Sequence, residues 1–414
     1  MSRAVLLVVA LAGVAHAQDA APPLAPATPV TLDQALAAAG QAPAAQIGGH
    51  EIAAAEASVA AASAWPNPSL HVGTSRLTAR LVASAALPLP VFGTVGAARR
   101  VAAAEAGVVR AEAGLALRDL RHRVTVAWIE LARSRAEALA QQVAARQAAD
   151  LVAVASGRRA AGSGADVDVM VAVASRARAD VAVAAALRGE QAASAELAAL
   201  LGWDPGRPLR TEGALVIGPG GALGELRGRL RAHPEHLTAE HRIIAADAGI
   251  DQLRAERWPG LALEGEVDYD DISITEGRTA WDRTDARIGI ALDLPVFAQL
   301  GDRTRAAEAT AAAQRARMRA VDAELTGRLA AAYARWQAAT ERLTALERDV
   351  LPASDRAAAL SLQAYREGAR DLASALVVER DLAAVRAEVN DARATAALAY
   401  AELAQAAGED LHGN

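Results

Sequence analysis

The sequence predicts a mainly α-helical, internally duplicated chain with a small transmembrane β part, and three observations carry that expectation. The stretch from Trp65 to Gly202 is written again from Trp258 to Gly408. Trp65-Pro66 returns as Trp258-Pro259, Leu89-Pro90-Val91-Phe92 as Leu294-Pro295-Val296-Phe297, Gly162 as Gly368, and Glu196-Leu197-Ala198 as Glu402-Leu403-Ala404. The offset is 193 residues at the tryptophans, 205 at the Leu-Pro segments and 206 thereafter, so the second copy holds a dozen more residues between its strands. A period this long marks two halves of one fold, because short solenoid arrays repeat every ~20–50 residues. Each copy also contains Ala-rich stretches too long for an ordinary domain, and each places an alternating strand pair ahead of them.

The elements follow in order. Arg3, the apolar run Ala4–Val14 and Ala15-His16-Ala17 form a basic start, a hydrophobic segment and a small-x-small cleavage site. Residues 1–17 therefore read as a signal peptide, cleaved near Ala17. The run is too short for a membrane helix of ~20 residues. Residues 18–30 are Pro/Ala-rich and read as an extended arm. The first repeat spans 31–202. A helix starts at the N-cap Thr31 and runs to Ala64, where Trp65-Pro66-Asn67-Pro68 stops it, since proline lacks the amide and clashes with the preceding turn. A strand pair at about 68–90 follows, then a helical hairpin over 94–201, in which the stretch from Thr94 to Ser156 would extend roughly 90 Å. Gly157–Gly164 breaks the hairpin. A Gly/Pro-rich connector occupies 203–222. The second repeat, 223–408, has a helix at about 223–256, strands at about 260–295 and a helical hairpin over 302–407, read as helices at 302–350 and 353–407. Residues 409–414 form a tail.

Side-chain patterning supports these assignments. Met318, Val321, Leu325, Leu329, Tyr333, Trp336, Leu343, Leu346 and Val350 recur at steps of three, four or seven, the seam of coiled-coil-like packing. Val101, Val108 and Leu115 keep the seven-residue step in the first copy. In the second strand pair Leu261, Leu263, Gly265, Val267 and Tyr269 alternate with Ala262, Glu264, Glu266, Asp268 and Asp270. Further on, Ala286, Ile288, Ile290, Leu292 and Leu294 alternate with Arg287, Gly289, Ala291 and Asp293. Runs of about ten residues with one apolar and one charged face suit strands that cross a bilayer as part of a barrel. A soluble hairpin lying on a helix would show the same alternation. The first pair is weaker, with Leu70, Val72, Leu81, Ala83, Ala85 and Leu87 against His71, Gly73, Arg80 and Ser84. Four strands cannot close a barrel, and open edges are not tolerated in lipid, so transmembrane strands require several chains per barrel.

Composition narrows the function. The chain has 414 residues, no cysteine, 3% aromatic residues and a net charge of −6 with acids and bases interspersed. Disulfides, thiol nucleophiles and a lipid-anchored cysteine are excluded, and no basic footprint for nucleic acid exists. No phosphate loop, zinc-protease helix or serine elbow occurs, so catalysis has no visible seat and no cofactor is expected. His233, His236 and His241, with Glu235 and Glu240 among them, fall on roughly one helical face and could approach a metal. The segment Ala232-His233-Pro234-Glu235 reads better as a helix start, with proline in the first turn and glutamate favoured by the helix dipole. Asp268, Asp270 and Asp271 read as a solvated acidic rim.

Signal peptide, strand pair, long helical hairpin, connector and the same again: this order resembles the TolC-like outer membrane factors over nearly the whole mature chain. The resemblance implies a homotrimer in which each protomer gives four strands to one β-barrel in outer membrane lipid, above a long α-helical barrel crossing the periplasm. It also implies a periplasmic adaptor protein and an inner-membrane pump as partners, and a passive duct for toxic solutes. Trp65-Pro66-Asn67-Pro68 and the two Leu-Pro-Val-Phe segments are similar to the branch serving metal-exporting pumps of the resistance-nodulation-division type. The Asn-Gln-Gly element common after the phenylalanine there is replaced by Gly93-Thr94-Val95-Gly96 and Ala298-Gln299-Leu300-Gly301.

The resemblance further implies that the helix breaks lie at the periplasmic tip, where a Tyr and an Arg five apart flank a Gly and help keep the tube closed. Tyr365, Gly368 and Arg370 match that pattern, with Gly162 in the other hairpin and Asp168 as the acidic partner. Ser374 and Val377 stand where relatives carry aspartates, a departure that argues against a strongly acidic constriction. The plainer alternative is that the glycines are turn residues and that Tyr365 and Arg370 are ordinary helix-surface residues. Two rival functions also remain: a periplasmic coiled-coil structural or adaptor protein, and a duct for drugs or for type I protein secretion. An adaptor should carry one helical hairpin plus compact β domains, whereas this sequence has two hairpins.

Overall fold

The computed structural model describes residues 27–75, 79–271, 273–275, 278–280, 283–295 and 300–409. The expected signal peptide, the first part of the arm, Val296-Phe297 and the tail from 410 onward lie outside the described residues.

The described chain begins with a short strand, β1 (Thr28–Val30). Thr31 then caps α1 (Leu32–Ala39) in a reciprocal box: its hydroxyl accepts from the Gln34 amide at 3.2 Å, and Gln34 Oε1 accepts from the Thr31 amide at 3.0 Å. Two amides that a helix start leaves bare are thereby satisfied. The single helix expected over 31–64 is broken, because the chain turns at Gly40-Gln41-Ala42 and restarts as α2 (Pro43–Ala62). Pro43 tolerates the first helical position, where its missing amide would have had no partner.

Two strands follow, β2 (Ser69–Ser75) and β3 (Ala79–Leu89), and then the hairpin of α3 (Thr94–Ala160) and α4 (Asp166–Leu201). α3 has 67 residues and is therefore about 100 Å long. Gly157, expected to open the break, stays helical. A third short strand, β4 (Leu209–Thr211), lies in the connector, and α5 (Leu223–Arg229) leads through one tighter turn to α6 (Pro234–Ala255). The helix expected over 223–256 is thus interrupted just before Pro234. Next come β5 (Gly260–Asp271), β6 (Ser273–Thr275), β7 (Arg278–Ala280) and β8 (Arg283–Asp293).

The second hairpin corrects the expected helix boundaries. α7 (Leu300–Ala345) passes through a π-helical turn, Leu346–Val350, directly into α8 (Leu351–Arg366), so Pro352 does not separate two helices. The wider turn moves backbone carbonyls away from the proline ring, relieving the clash that would break a regular helix. The actual break comes at 367–371, before α9 (Leu372–Ala407). The duplication is then visible in lengths. The long helical arm has 67 residues in each copy and the return helix 36, and both return helices end on a glycine in the left-handed conformation, Gly202 and Gly408.

The four long strands form one antiparallel sheet in the order β2-β3-β5-β8, joined across the repeats through β3 and β5. The extra residues of the second copy contain β6 and β7, a small hairpin between β5 and β8. The register makes the faces explicit. Leu87, Leu263 and Ile290 lie in one row across three strands, and Ala85, Gly265 and Ile288 in the next, with Leu70 paired to Ala85. This apolar face is bare: Ile288 is 86% exposed, Leu70 72% and Ile290 68%. The opposite face carries Ser84, Glu266 and Arg287 in one row and Val82, Asp268 and Asp285 in another. Arg287 reaches Glu266 at 3.4 Å and Asp268 at 3.1 Å. Among the described residues no helix is long and apolar enough to cross a membrane.

The main core sits where the repeats meet midway along the helices. Trp128, Leu131, Val124 and Leu120 of α3 pack with Leu197 and Leu201 of α4, Ala394, Ala397 and Ala401 of α9, and Val30 and Leu209. β1 and β4 pair in parallel here, which places the N-terminal arm and the connector in one small sheet. The Val30 carbonyl accepts from the Trp128 indole and from the Glu212 amide, each at 3.0 Å. Across the helices the connector closes on α7, where a side chain at Gly220 would overlap the Trp336 ring.

Trp128→Phe should keep the buried ring but remove the indole bond, at a cost of about 1 kcal/mol. Hydrogen exchange should then quicken in the β1–β4 ladder and stay slow in the centre of α3.

Candidate functional site

Each helical hairpin ends in a turn of the same construction. Gly162 has φ +76° and Gly368 φ +78°, a region that glycine enters without steric cost. Around them the Ser163 amide donates to the Arg158 carbonyl at 2.9 Å and the Ala369 amide to the Ala364 carbonyl at 2.9 Å, closing carbonyls that a helix end leaves open. The return helices start on acids. Asp166 and Asp168 lie in the first turn of α4, Asp166 paired with Arg159, while Asp371 caps α9 by accepting from the Ser374 amide at 2.9 Å. The Ser374 hydroxyl, with that backbone bond, holds the Asp371 carboxyl below the usual carboxylate range.

The two turns sit side by side. A small apolar cluster joins Leu151 and Ala155 of α3, Ala172 of α4, Tyr365 of α8, and Leu372 and Ala375 of α9. Tyr365 is 1% exposed, so it is a core residue of the tip and not a surface residue. Its hydroxyl has no hydrogen-bond partner among the described residues. Burial raises its phenol pKa, as does the charge of Asp168, while Arg158 acts in the opposite direction. Asp168 thus acts on Tyr365 electrostatically. Arg370 is exposed, and its guanidinium reaches Ser361 Oγ at 3.4 Å.

The residue that sequence reasoning missed is Arg158, in the last turn of α3. Its Nη1 donates to the Tyr365 carbonyl at 2.6 Å, its Nη2 to the Ser163 carbonyl at 3.4 Å, and its guanidinium carbon lies 4.9 Å from the centre of the Tyr365 ring. No motif marks it, because the bond spans 207 residues of sequence. Ser374 and Val377 stand on α9 without forming an acidic cluster, and the next acid along that helix is Glu379, half-buried, its carboxyl pKa raised by burial against the influence of Arg386.

The three histidines have separate tasks. His233 caps α6: its Nδ1 accepts from the Glu235 amide at 3.2 Å, and its Nε2 faces the Gln405 carbonyl at 3.2 Å. His236 pairs with Asp322 at 2.6 Å, and His241 lies against Gly107 of α3. Among the described residues no group of three or more metal-type ligands forms.

The class defined by this geometry is a fold of long paired helical hairpins joined to a four-stranded sheet with one bare apolar face and one charged face. Residues 229–409, the second repeat, match the family model described as outer membrane efflux protein. The fold is shared with VceC, an outer membrane protein of Vibrio cholerae, at a TM-score of 0.74 and 20% identity over 92% of this chain and 97% of that one. It is shared equally with CusC, a protein that forms a transmembrane channel, at 0.75 and 16% identity over 92% of both chains. The outer membrane channel MtrE of Neisseria gonorrhoeae, solved in its open state, gives 0.72 and 18% over 92% and 89%. No curated protein sequence matches. The second repeat thus matches the outer membrane efflux protein family, and the chain as a whole shares its fold with these outer membrane channels.

Burial lowers the pKa of His233, more than its contacts with Gln405 and Glu235 raise it. Below the free-histidine value of about 6.5 the unfolded chain therefore binds more protons than the folded one, and stability present above that pH is lost as pH falls. The melting temperature should drop between pH 7 and pH 5.5. His233→Asn, which keeps a capping side chain, should shrink that drop; part of it should remain, because burial lowers the pKa of His122 as well.

Proposed function

We propose that the chain is the outer-membrane component of a tripartite efflux system: a passive trimeric duct that runs from the cell exterior into the periplasm. The observation that carries this reading is the four-stranded sheet, with Leu70, Ile288 and Ile290 bare on one face and Glu266, Asp268, Asp285 and Arg287 on the other. Such a sheet suits lipid outside and water inside. Its edge strands, β2 and β8, would leave backbone groups unsatisfied in lipid, so the barrel must be completed by further copies. Two copies would give eight strands, a barrel whose interior side chains nearly fill, whereas three copies give twelve and leave a lumen.

The helices would then continue the lumen toward a pump, with an adaptor engaging the tube. The hairpin tips at Gly162, Asp168, Tyr365, Gly368 and Arg370 form the closure at the periplasmic end. Arg370, exposed on one protomer, is placed to reach beyond it. Cargo is toxic solute, and heavy-metal cations are the class favoured by the Pro-Asn-Pro and Leu-Pro-Val-Phe segments. The signal peptide at residues 1–17 directs export, with cleavage near Ala17.

Membrane fractionation followed by unheated gel electrophoresis should recover the protein in the outer membrane as a band about three times the protomer mass. Recovery as a soluble periplasmic monomer would overturn the duct. Deleting the gene should sensitise cells to zinc, cobalt, cadmium or copper more than to drugs; sensitivity to drugs alone would reassign the cargo and leave the duct standing.

A further inference from the structure

We propose that Arg158 is the latch that holds the two hairpin tips of one protomer together, and that opening the duct requires this contact to break. The proposal rests on the reading of the tip as the closure.

Arg158 belongs to the first hairpin and Tyr365 to the second, so their contact crosses the line along which the tips would separate. The guanidinium engages in three ways at once. It donates to the Tyr365 carbonyl at 2.6 Å, donates to the Ser163 carbonyl at 3.4 Å, and lies 4.9 Å from the Tyr365 ring centre. The two carbonyls belong to the last turn of α8 and to the turn beyond α3, where helix ends concentrate negative potential; the Tyr365 carbonyl also accepts from the Gly368 amide at 3.1 Å and takes the guanidinium as a second donor. A cation there is favoured by both ends together. Arginine suits the position because its planar fork can stack on a ring while donating in several directions, which an ammonium cannot do.

Tyr365 is the matching half of the latch. Its ring is buried among Leu151, Ala155, Ala172, Leu372 and Ala375, so the second hairpin plugs into the first. The hydroxyl takes no hydrogen bond among the described residues, so the ring and the main-chain carbonyl, and not the phenol, make the tie. Arg370 differs in kind: it is exposed, and its 3.4 Å contact to Ser361 stays within the second hairpin. Within a protomer, Arg158 supplies what a tyrosine–arginine–aspartate pattern would have assigned to Arg370 and Asp168.

The test is single-channel conductance of the full-length protein in planar lipid bilayers, with trimer integrity followed on unheated gels. Arg158→Gln should raise the open-to-closed ratio by roughly tenfold. Arg158→Lys should fall between the variant and the wild type, since a lysine can reach one carbonyl but not stack. Tyr365→Ala should open the channel more than Tyr365→Phe, which keeps the ring and the carbonyl. If Arg158→Gln fails to assemble, Arg158→Lys decides, and wild-type gating by that variant overturns the latch. Intact Arg158→Gln trimers that stay closed while Arg370→Gln opens would also overturn it, leaving the tip as the closure. If Arg158→Gln, Arg370→Gln and Tyr365→Ala all assemble and all stay closed, both the latch and the tip reading fail.

Discussion

The constraint on which the rest depends is that backbone amides and carbonyls cannot be left bare in lipid. Strands β2 and β8 lie at the edges of a sheet whose apolar face is open to the surroundings, and one protomer cannot satisfy both requirements. A chain that buries its own apolar surface folds alone. This one turns Leu70, Ile288 and Ile290 of its strands outward, an arrangement that the proposed duct explains by a second solvent and further copies. The helices would inherit that arrangement in the proposed duct, because each of the four long strands is joined in sequence to a long helix.

How the helices meet that demand follows from their composition. Alanine dominates the buried positions where repeats cross, as at Ala394, Ala397 and Ala401 against Trp128 and Leu131, so backbones approach closely without a thick core. Arginine–carboxylate pairs then lie between neighbouring helices: Arg110–Glu56, Arg242–Glu112, Arg315–Asp247 and Arg342–Glu388. All are well exposed, and such pairs are worth about 0–1 kcal/mol each. They discriminate between registers of otherwise similar helical surfaces more than they add stability. Where the repeats close, at the β1–β4 ladder and at His233 beneath Gly408, buried polar groups are hydrogen-bonded and the structure is tightest.

The tip shows the opposite economy. Its apolar cluster is small, its turns are exposed, and its central aromatic is buried with a polar oxygen that finds no partner among the described residues. A buried hydroxyl without a partner costs on the order of 1–3 kcal/mol, so the junction of the two hairpins is held with little to spare. Arg158 offsets part of that cost by adding a charged donor to the Tyr365 carbonyl across the two hairpins. A junction built this way can be separated by a partner without disturbing the midpoint core, because the two are joined only through long helices.

Much of this was legible in the sequence because it is periodic or repeated. The 206-residue offset paired Gly162 with Gly368, which mark both turns, and strand alternation separated an apolar face from a charged one, whereas the break expected between 350 and 353 does not exist. Local chemistry was legible as well, as in the Thr31 cap and the helix start at Pro234. What only the tertiary structure decided depends on contacts between distant residues. The pairing of β1 with β4, the union of both hairpins into one sheet, the passage of a helix through Pro352 by way of a π turn, and the meeting of Arg158 with Tyr365 leave no local pattern. Repetition and period are written along the chain, whereas which carbonyl a distant guanidinium reaches is set by how two 100 Å helices lie against each other.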